Sequence, residues 1–324
     1  MHRGGGAGWG PGAARGNVAV VTHPFPRELN GRAFTTREAH RCGVTAKMLR
    51  RASLRAPFAG VRVGPAAPDS FENLCRAAST FLPDGALFSH VTALRLIGVE
   101  LPRRLAADER VHVTVPAGQP VPRRAAVVAH TNALGPLPTW RHELPVASPA
   151  TVWVQLGAWL GVDDLVVLAD AMTRRKDAKT TLAILRSHVG AAPPGTRGIR
   201  SVRSALEMVR PGTDSSMESR ARLVLVHASL PCPDVNEPVY DGFGRFVALP
   251  DMSYPGLKIA IEYDGDIHRT DRATWRRDIA RRQALEALGW RVITCTADDV
   301  LRFPARLVAW VRAAISRSWL ARVG

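Results

Sequence analysis

The sequence predicts a multi-domain chain of α+β (α/β) class. It would have an N-terminal winged helix, an α+β middle domain, and a C-terminal mixed sheet flanked by helices. Three observations carry this reading. Residues 34–51 have the spacing of two short helices joined at a glycine. Residues 249–264 alternate as a strand pair around Pro255-Gly256. Beyond them the pattern runs helix, strand, helix. At 324 residues and 46% hydrophobic, the chain exceeds what one core usually holds.

Taken in order, residues 1–25 read as a flexible N-terminus. Their apolar run, Val18–Val21, is too short for the core of a signal peptide. Residues 26–66 read as the winged helix-turn-helix. Thr35 or Thr36 caps a first helix, Gly43 takes the turn, and Thr45 caps a second. Phe58–Gly64 follows as a wing strand. On the second helix Lys47, Arg50 and Arg51 would face DNA, against the plainer reading of an ordinary helical hairpin. Residues 67–190 make the middle domain. Within it, 150–172 is apolar but broken by Asp163-Asp164, which predicts core helices and no membrane span. Ser89, His90 and His130 have no acid pattern nearby and read as capping or core polar residues. Residues 191–213, with Pro193-Pro194-Gly195 and Pro211-Gly212, have linker composition. Residues 214–324 form the last domain.

The chemistry concentrates in that last domain. If Pro255-Gly256 forms a type II turn, Tyr254 opposes Leu257 and Asp251 opposes Ala260. Asp251, Ser253, Lys258, Ala260, Glu262 and Asp264 then share one face, and Leu257, Ile259, Ile261 and Tyr263 share the other. Asp251 and Glu262 become diagonal neighbours, roughly 7–8 Å apart at Cα. One shared cation would lie within reach of both. His268 follows Gly265 closely. Clustered carboxylates suit Mg²⁺ or Mn²⁺ and phosphodiester cleavage, and the plainer alternative is a solvated acidic strand end. Upstream, Ser215 and Glu218 have the spacing of a capping box. Downstream, Trp275–Leu288 is a basic amphipathic helix stopped by Gly289, and Trp290–Cys295 reads as a strand.

Glu218, Asp251, the Glu262-Tyr263-Asp264-Gly265 run, His268, Gly289-Trp290-Arg291-Val292 and Asp298-Asp299-Val300 together resemble the PD-(D/E)XK nuclease superfamily. Within it they are similar to the endonuclease-like domain of unknown function related to very-short-patch-repair (Vsr) endonucleases. The resemblance implies a restriction-endonuclease-like fold. It also implies Asp251 and Glu262 as metal ligands and His268 as the acid–base group. Glu218 would orient water, and Arg276, Arg277 and Arg281 would clamp the phosphate backbone. Asp264 stands where many members carry a catalytic lysine, and Thr294 stands where an arginine is common. Phe34–Arg51, Ala86–Leu96, Val111–Pro116 and Leu144–Thr151 resemble the AbiEi-like antitoxins of type IV toxin–antitoxin systems.

The net charge of +16 favours a polyanionic partner. The four cysteines form no Cys-x-x-Cys pair, which argues against structural zinc and fits a reducing cytoplasm. Two functions follow as expectations. One is a metal-dependent DNA endonuclease targeted by the N-terminal domain, for which a homodimer would suit double-strand cutting. The other is a non-catalytic DNA-binding regulator of the antitoxin kind, with a degenerate nuclease domain and a toxin partner.

Overall fold

The computed structural model describes residues 25–51, 53–132, 138–265 and 272–323, of which 132, 272–278 and 321–323 are described as backbone. The reading of 1–25 as a flexible arm falls outside them except at Phe25. The chain has an α+β architecture in two compact units, one ending at Thr80 and the next beginning at Phe81.

In the first unit, the threonines set the helix starts. Thr35 Oγ1 accepts from the Glu38 amide, opening α2 (Thr36–Arg41), and Thr45 Oγ1 accepts from the Met48 amide, opening α3 (Ala46–Leu49). Gly43 makes the turn between them at φ 77°. Before α2 come α1 (Arg27–Asn30) and β1 (Ala33–Thr35). After α3 comes β2 (Val61–Val63), antiparallel to β1 with Phe34 opposite Arg62. Leu29, Phe34, Ala39, Val44, Met48, Leu49 and Leu54 form the core. The unit extends past residue 66 because α4 (Phe71–Ser79) packs on β1 and β2.

The second unit opens with a five-stranded sheet in the order β5-β4-β3-β7-β6. Its strands are β3 (Leu87–Phe88), β4 (Val111–Pro116), β5 (Val127–Asn132), β6 (Pro138–Arg141) and β7 (Leu144–Ala147). Between β3 and β4 lies α5 (His90–Ile97). The apolar stretch at 150–172 becomes two helices, α6 (Pro149–Leu156) and α7 (Val162–Met172). Trp153 anchors α6, fully buried, with its indole N–H donating to the Leu165 carbonyl at 2.8 Å. Then come α8 (Leu182–Gly190) and α9 (Ile199–Met208).

The expected linker at 191–213 therefore contains α9, whose Val202 and Ala205 are buried against α7. Its proline and glycine residues only bound the helix. The expected separation of 67–190 from 214–324 also differs from what forms. Arg222, on α10 (Ser216–His227), makes a fully buried ion pair with Asp170 of α7 at 2.6 Å. Arg222 also donates to the Met208 carbonyl, and Asp170 accepts from the Arg210 amide. These bonds tie α7, α9 and α10 into one body.

The last sheet runs β13-β12-β11-β8 and is mixed. β8 is Asp234–Val235; a two-stranded ribbon follows, β9 (Val239–Tyr240) with β10 (Phe246–Ala248). Then come β11 (Met252–Tyr254) and β12 (Ile259–Tyr263), antiparallel to each other. After α11 (Arg272–Ala287), β13 (Arg291–Cys295) joins β12 in parallel. The chain closes with α12 (Ala297–Leu301) and α13 (Pro304–Val323).

β12 is buried on both faces. Ile259 and Ile261 pack with Ala221 and Leu225 of α10 and Leu307 and Val311 of α13. Ala260 packs with Leu285 of α11, Val239 and Ala248. The expectation of one covered face and one acid-bearing open face is corrected by α11 and the ribbon, which cover the second face.

Candidate functional site

The β11–β12 connection decides how the acids meet. Pro255–Leu257 forms a 3-10 turn and Lys258 adopts a left-handed conformation, φ 50°. The connection is thus longer than the two-residue type II turn, whose twist fits a hairpin poorly. Tyr254 opposes Ile259 and Ser253 opposes Ala260. The register moves by two residues, so the faces survive. Continuing it by one pair brings Asp251 level with Glu262, where the sequence reading had them diagonal. Lys258 leaves the strand face, its ammonium donating to the Leu288 carbonyl at 2.9 Å.

Asp251 sits just before β11, partly buried, with Oδ2 accepting from the Tyr263 amide at 2.7 Å. Burial pushes its carboxyl up to about 7, helped by the negative charges of Glu218 and Glu262 and opposed by the Tyr263 hydrogen bond. Asp251, Glu218 and Glu262 are therefore electrostatic neighbours, and Asp264, expected on the same face, is not among the charges that shift Asp251. Glu262 is 8% exposed near the end of β12; its Oε2 accepts from Arg281 of α11 at 3.2 Å, and its Oε1 is buried without a hydrogen-bond partner among the described residues.

Glu218 is 5% exposed in the first turn of α10. Ser215 caps that helix by accepting from the Glu218 amide at 3.2 Å. The Glu218 side chain does not return the bond to Ser215; its Oε2 accepts from the Asp214 amide at 2.9 Å and from Asn236 Nδ2 at 3.2 Å. Asn236, in a left-handed conformation just after β8, also donates to the Gly212 carbonyl. No sequence pattern marks this residue; only the sheet brings it under α10.

Asp264 follows β12, partly buried, with its amide donating to the Cys295 carbonyl at 2.8 Å. His268 lies outside the described residues. Arg276 and Arg277 are on the backbone of α11, and their side chains lie outside the described residues. Arg281 was expected on phosphate and instead reaches Glu262, because β12 and α11 pack face to face. Arg282 donates to Thr294 Oγ1 at 2.5 Å, so Thr294 anchors an arginine where one was expected in its own place. Burial pushes the Cys295 thiol up to about 12, with Asp251 and Asp299 adding to the shift. In the first unit Lys47, Arg50 and Arg51 are all exposed while Met48 and Leu49 point inward, but α3 is a single turn.

Hard oxygen donors of this kind suit Mg²⁺ or Mn²⁺. Asp251 and Glu262 fit such an ion as a two-carboxylate site, and the orphaned Glu262 Oε1 is a buried acceptor with a ligand to gain. Among the described residues no group of three or more His, Cys, Asp or Glu side chains is drawn together as a metal site. Two carboxylates with water and phosphate oxygens are sufficient for Mg²⁺.

A second polar cluster is absent from the sequence reading as a unit. His112 Nδ1 meets His130 Nε2 at 3.2 Å, and His112 Nε2 meets Asp108 Oδ2 at 3.1 Å. His90 stacks on His130 with ring centroids 3.7 Å apart, and Trp159 lies against them. Ser89 and His90 are buried, with His90 Nδ1 bonded to Ser89 Oγ at 3.0 Å. Two imidazoles stacked this closely cannot both aim at one tetrahedral ion. The parallel pairing of β4 with β5, which sets His112 opposite Val128 and Thr114 opposite His130, brings these two histidines together.

No family model matches the chain. Two relatives in Mycobacterium tuberculosis, uncharacterized proteins Rv2248 (strain H37Rv) and MT2308 (strain CDC 1551), are each 31% identical over 173 residues. The matched stretch is 51% of this chain and 62% of theirs. The crystal structure of the Rv2827c protein from the same species is 15% identical, covering 65% of this chain and 84% of that one, at a TM-score of 0.38.

Proposed function

We propose that the protein is a divalent-cation-dependent DNA endonuclease. The observation that carries this reading is that Asp251 lies within the electrostatic reach of Glu262 and Glu218 at the end of the sheet, with Glu262 Oε1 buried and without a hydrogen-bond partner among the described residues. A bound Mg²⁺ or Mn²⁺ supplies Lewis-acid activation of water and of the scissile phosphate. Asp251 and Glu262 would hold it. Asp251, pushed up to about 7, would lose its proton as the cation arrives. Arg281 offsets the charge of Glu262, and Glu218, fixed by Asn236 and the Asp214 amide, is positioned to orient water. His268 would handle the proton. Lys47, Arg50 and Arg51 would hold DNA on the first unit, and a homodimer would allow both strands to be cut. A DNA substrate is consistent with the cytoplasm. Among the described residues no helix is long and apolar enough to cross a membrane.

A second reading, a non-cleaving DNA-binding regulator of the antitoxin kind with a toxin partner, is favoured by two observations. Arg281 already occupies one oxygen of Glu262, and Asp264 stands where a lysine is common. The test is incubation of supercoiled, linear, mismatched and single-stranded DNA with Mg²⁺ or Mn²⁺ and wild type, Asp251→Ala or Glu262→Ala. Cleavage by wild type and its loss in both variants is expected. A DNA shift without cleavage in all three would transfer the reading to the regulator.

A further inference from the structure

The β9–β10 ribbon shows three aromatic side chains to solvent. Phe243 at its tip is 86% exposed, Phe246 62% and Tyr240 55%. Tyr240 and Phe246 are cross-strand partners with ring centroids 6.3 Å apart, edge to face. The tip is rigidly built. Asp241 Oδ1 accepts from the Phe243 and Arg245 amides, both at 2.9 Å, and Oδ2 accepts from Arg245 Nε at 2.7 Å. Gly244 completes the turn at φ 75°, and the Arg245 guanidinium lies 5.3 Å from the Phe243 ring centroid. Three large apolar groups held in water by an ordered turn are a display surface, since each would gain from burial.

The placement of the ribbon says what it displays them to. On its inner side Val239 and Ala248 share a cluster with Ala260 of β12 and Leu285 of α11. Ala248 is three residues from Asp251. The ribbon thus packs on β12 and α11, three residues along the chain from Asp251, and the α11 sequence carries five arginines against Asp278 and Glu286. Exposed aromatic faces on a chain of net charge +16 match unpaired nucleic acid, whose phosphates answer the charge and whose bases stack on the rings. An apolar protein partner would match the rings and leave the net charge of +16 without a counterpart.

We propose that the β9–β10 ribbon is a stacking platform that holds an unpaired base of the bound nucleic acid beside Asp251 and Glu262; this rests on the nucleic-acid reading above. The substrate class it selects is single-stranded or locally unpaired nucleic acid.

The test measures binding of a fluorescein-labelled single-stranded oligonucleotide and of the matching blunt duplex in EDTA. Melting of each variant would be followed alongside, and plasmid cleavage measured separately. Wild type is expected to prefer the single strand. Phe243→Ala and Phe246→Ala should each weaken that binding roughly 5- to 150-fold. Phe243→Trp should retain it and Phe243→Leu should not, because leucine keeps the apolar area and loses the stacking face. Wild-type affinity in Phe243→Ala and Phe246→Ala, or in Phe243→Leu, would overturn the platform while leaving the nuclease reading intact. Failure of wild type to bind either form would remove both.

Discussion

At the scale of single residues, Asp251 carries a conflict between stability and function. Its carboxyl is pushed up to about 7 in the fold from an ordinary value of 3.8. Between those values the folded chain binds more protons than the unfolded one, so stability falls as pH rises through that window. Asp251→Asn keeps an acceptor for the Tyr263 amide and removes the charge. The variant should melt higher than wild type at pH 8, by about 1–3 kcal/mol, and equally below pH 3.8. It should also lose Mn²⁺ binding, measured calorimetrically. Equal melting at pH 8 would show that Asp251 is not strained by Glu218 and Glu262. Asp251 and Glu262 were legible in the sequence because carboxylates at strand ends are conspicuous, and Glu218 because it stands three residues after the capping Ser215. Their partners were not: Asn236 and Arg281 reach Glu218 and Glu262 across the fold, 18 and 19 positions away in the chain.

At the scale of elements, local signals read well and connections read poorly. The caps at Thr35, Thr45 and Ser215 act where expected, because a side-chain oxygen two or three residues before an orphan amide is a local arrangement. The stretch at 191–213 shows the opposite. Proline and glycine there signal a break in both a linker and a tight helix junction. Gly157 after α6 and Gly198 before α9 meet so closely that a Cβ on Gly198 would lie 2.1 Å from the Gly157 carbonyl carbon, and Gly198 has φ 77°. Gly198→Ala should lower the urea midpoint by the equivalent of about 2–4 kcal/mol. Gly190→Ala, whose added carbon meets no atom within 4 Å, should change it by less than about 1 kcal/mol. Equal effects would mean that α6 and α9 do not approach through their glycines.

For the whole molecule, the buried histidines set the response to acid. Burial, with the neighbouring imidazoles, lowers His90 to about 2 and His130 to about 4, and burial also lowers His112 despite Asp108. Each binds fewer protons folded than unfolded below its ordinary 6.5. Their contribution to stability is complete above that value and is lost as pH falls toward 4. Wild type should lose about 2–5 kcal/mol between pH 6.5 and 4.5 from this cluster. Asp251 works in the opposite direction over the same range, so the comparison with His130→Gln isolates the histidine part. His130→Gln should show a shallower fall in Tm with acid, and parallel profiles would exclude the cluster as the cause.

By itself the sequence determined the α+β class, the helix starts at Thr35, Thr45 and Ser215, the apolar strand Ile259–Ile261, and the acids that end it. Each follows from a local signal: periodicity, a cap, or charge beside a buried run. Tertiary structure decided the rest. The two-residue change of register put Asp251 level with Glu262. The Asp170–Arg222 pair joined the middle of the chain to its last third. The strand alignment of β4 with β5 brought His112 to His130, and the pairing of β3 with β4 brought His90, at the start of α5, to both. The physical reason is common to all three. Register, buried ion pairing and stacking depend on which distant surfaces meet, and no short stretch of chain encodes its partner.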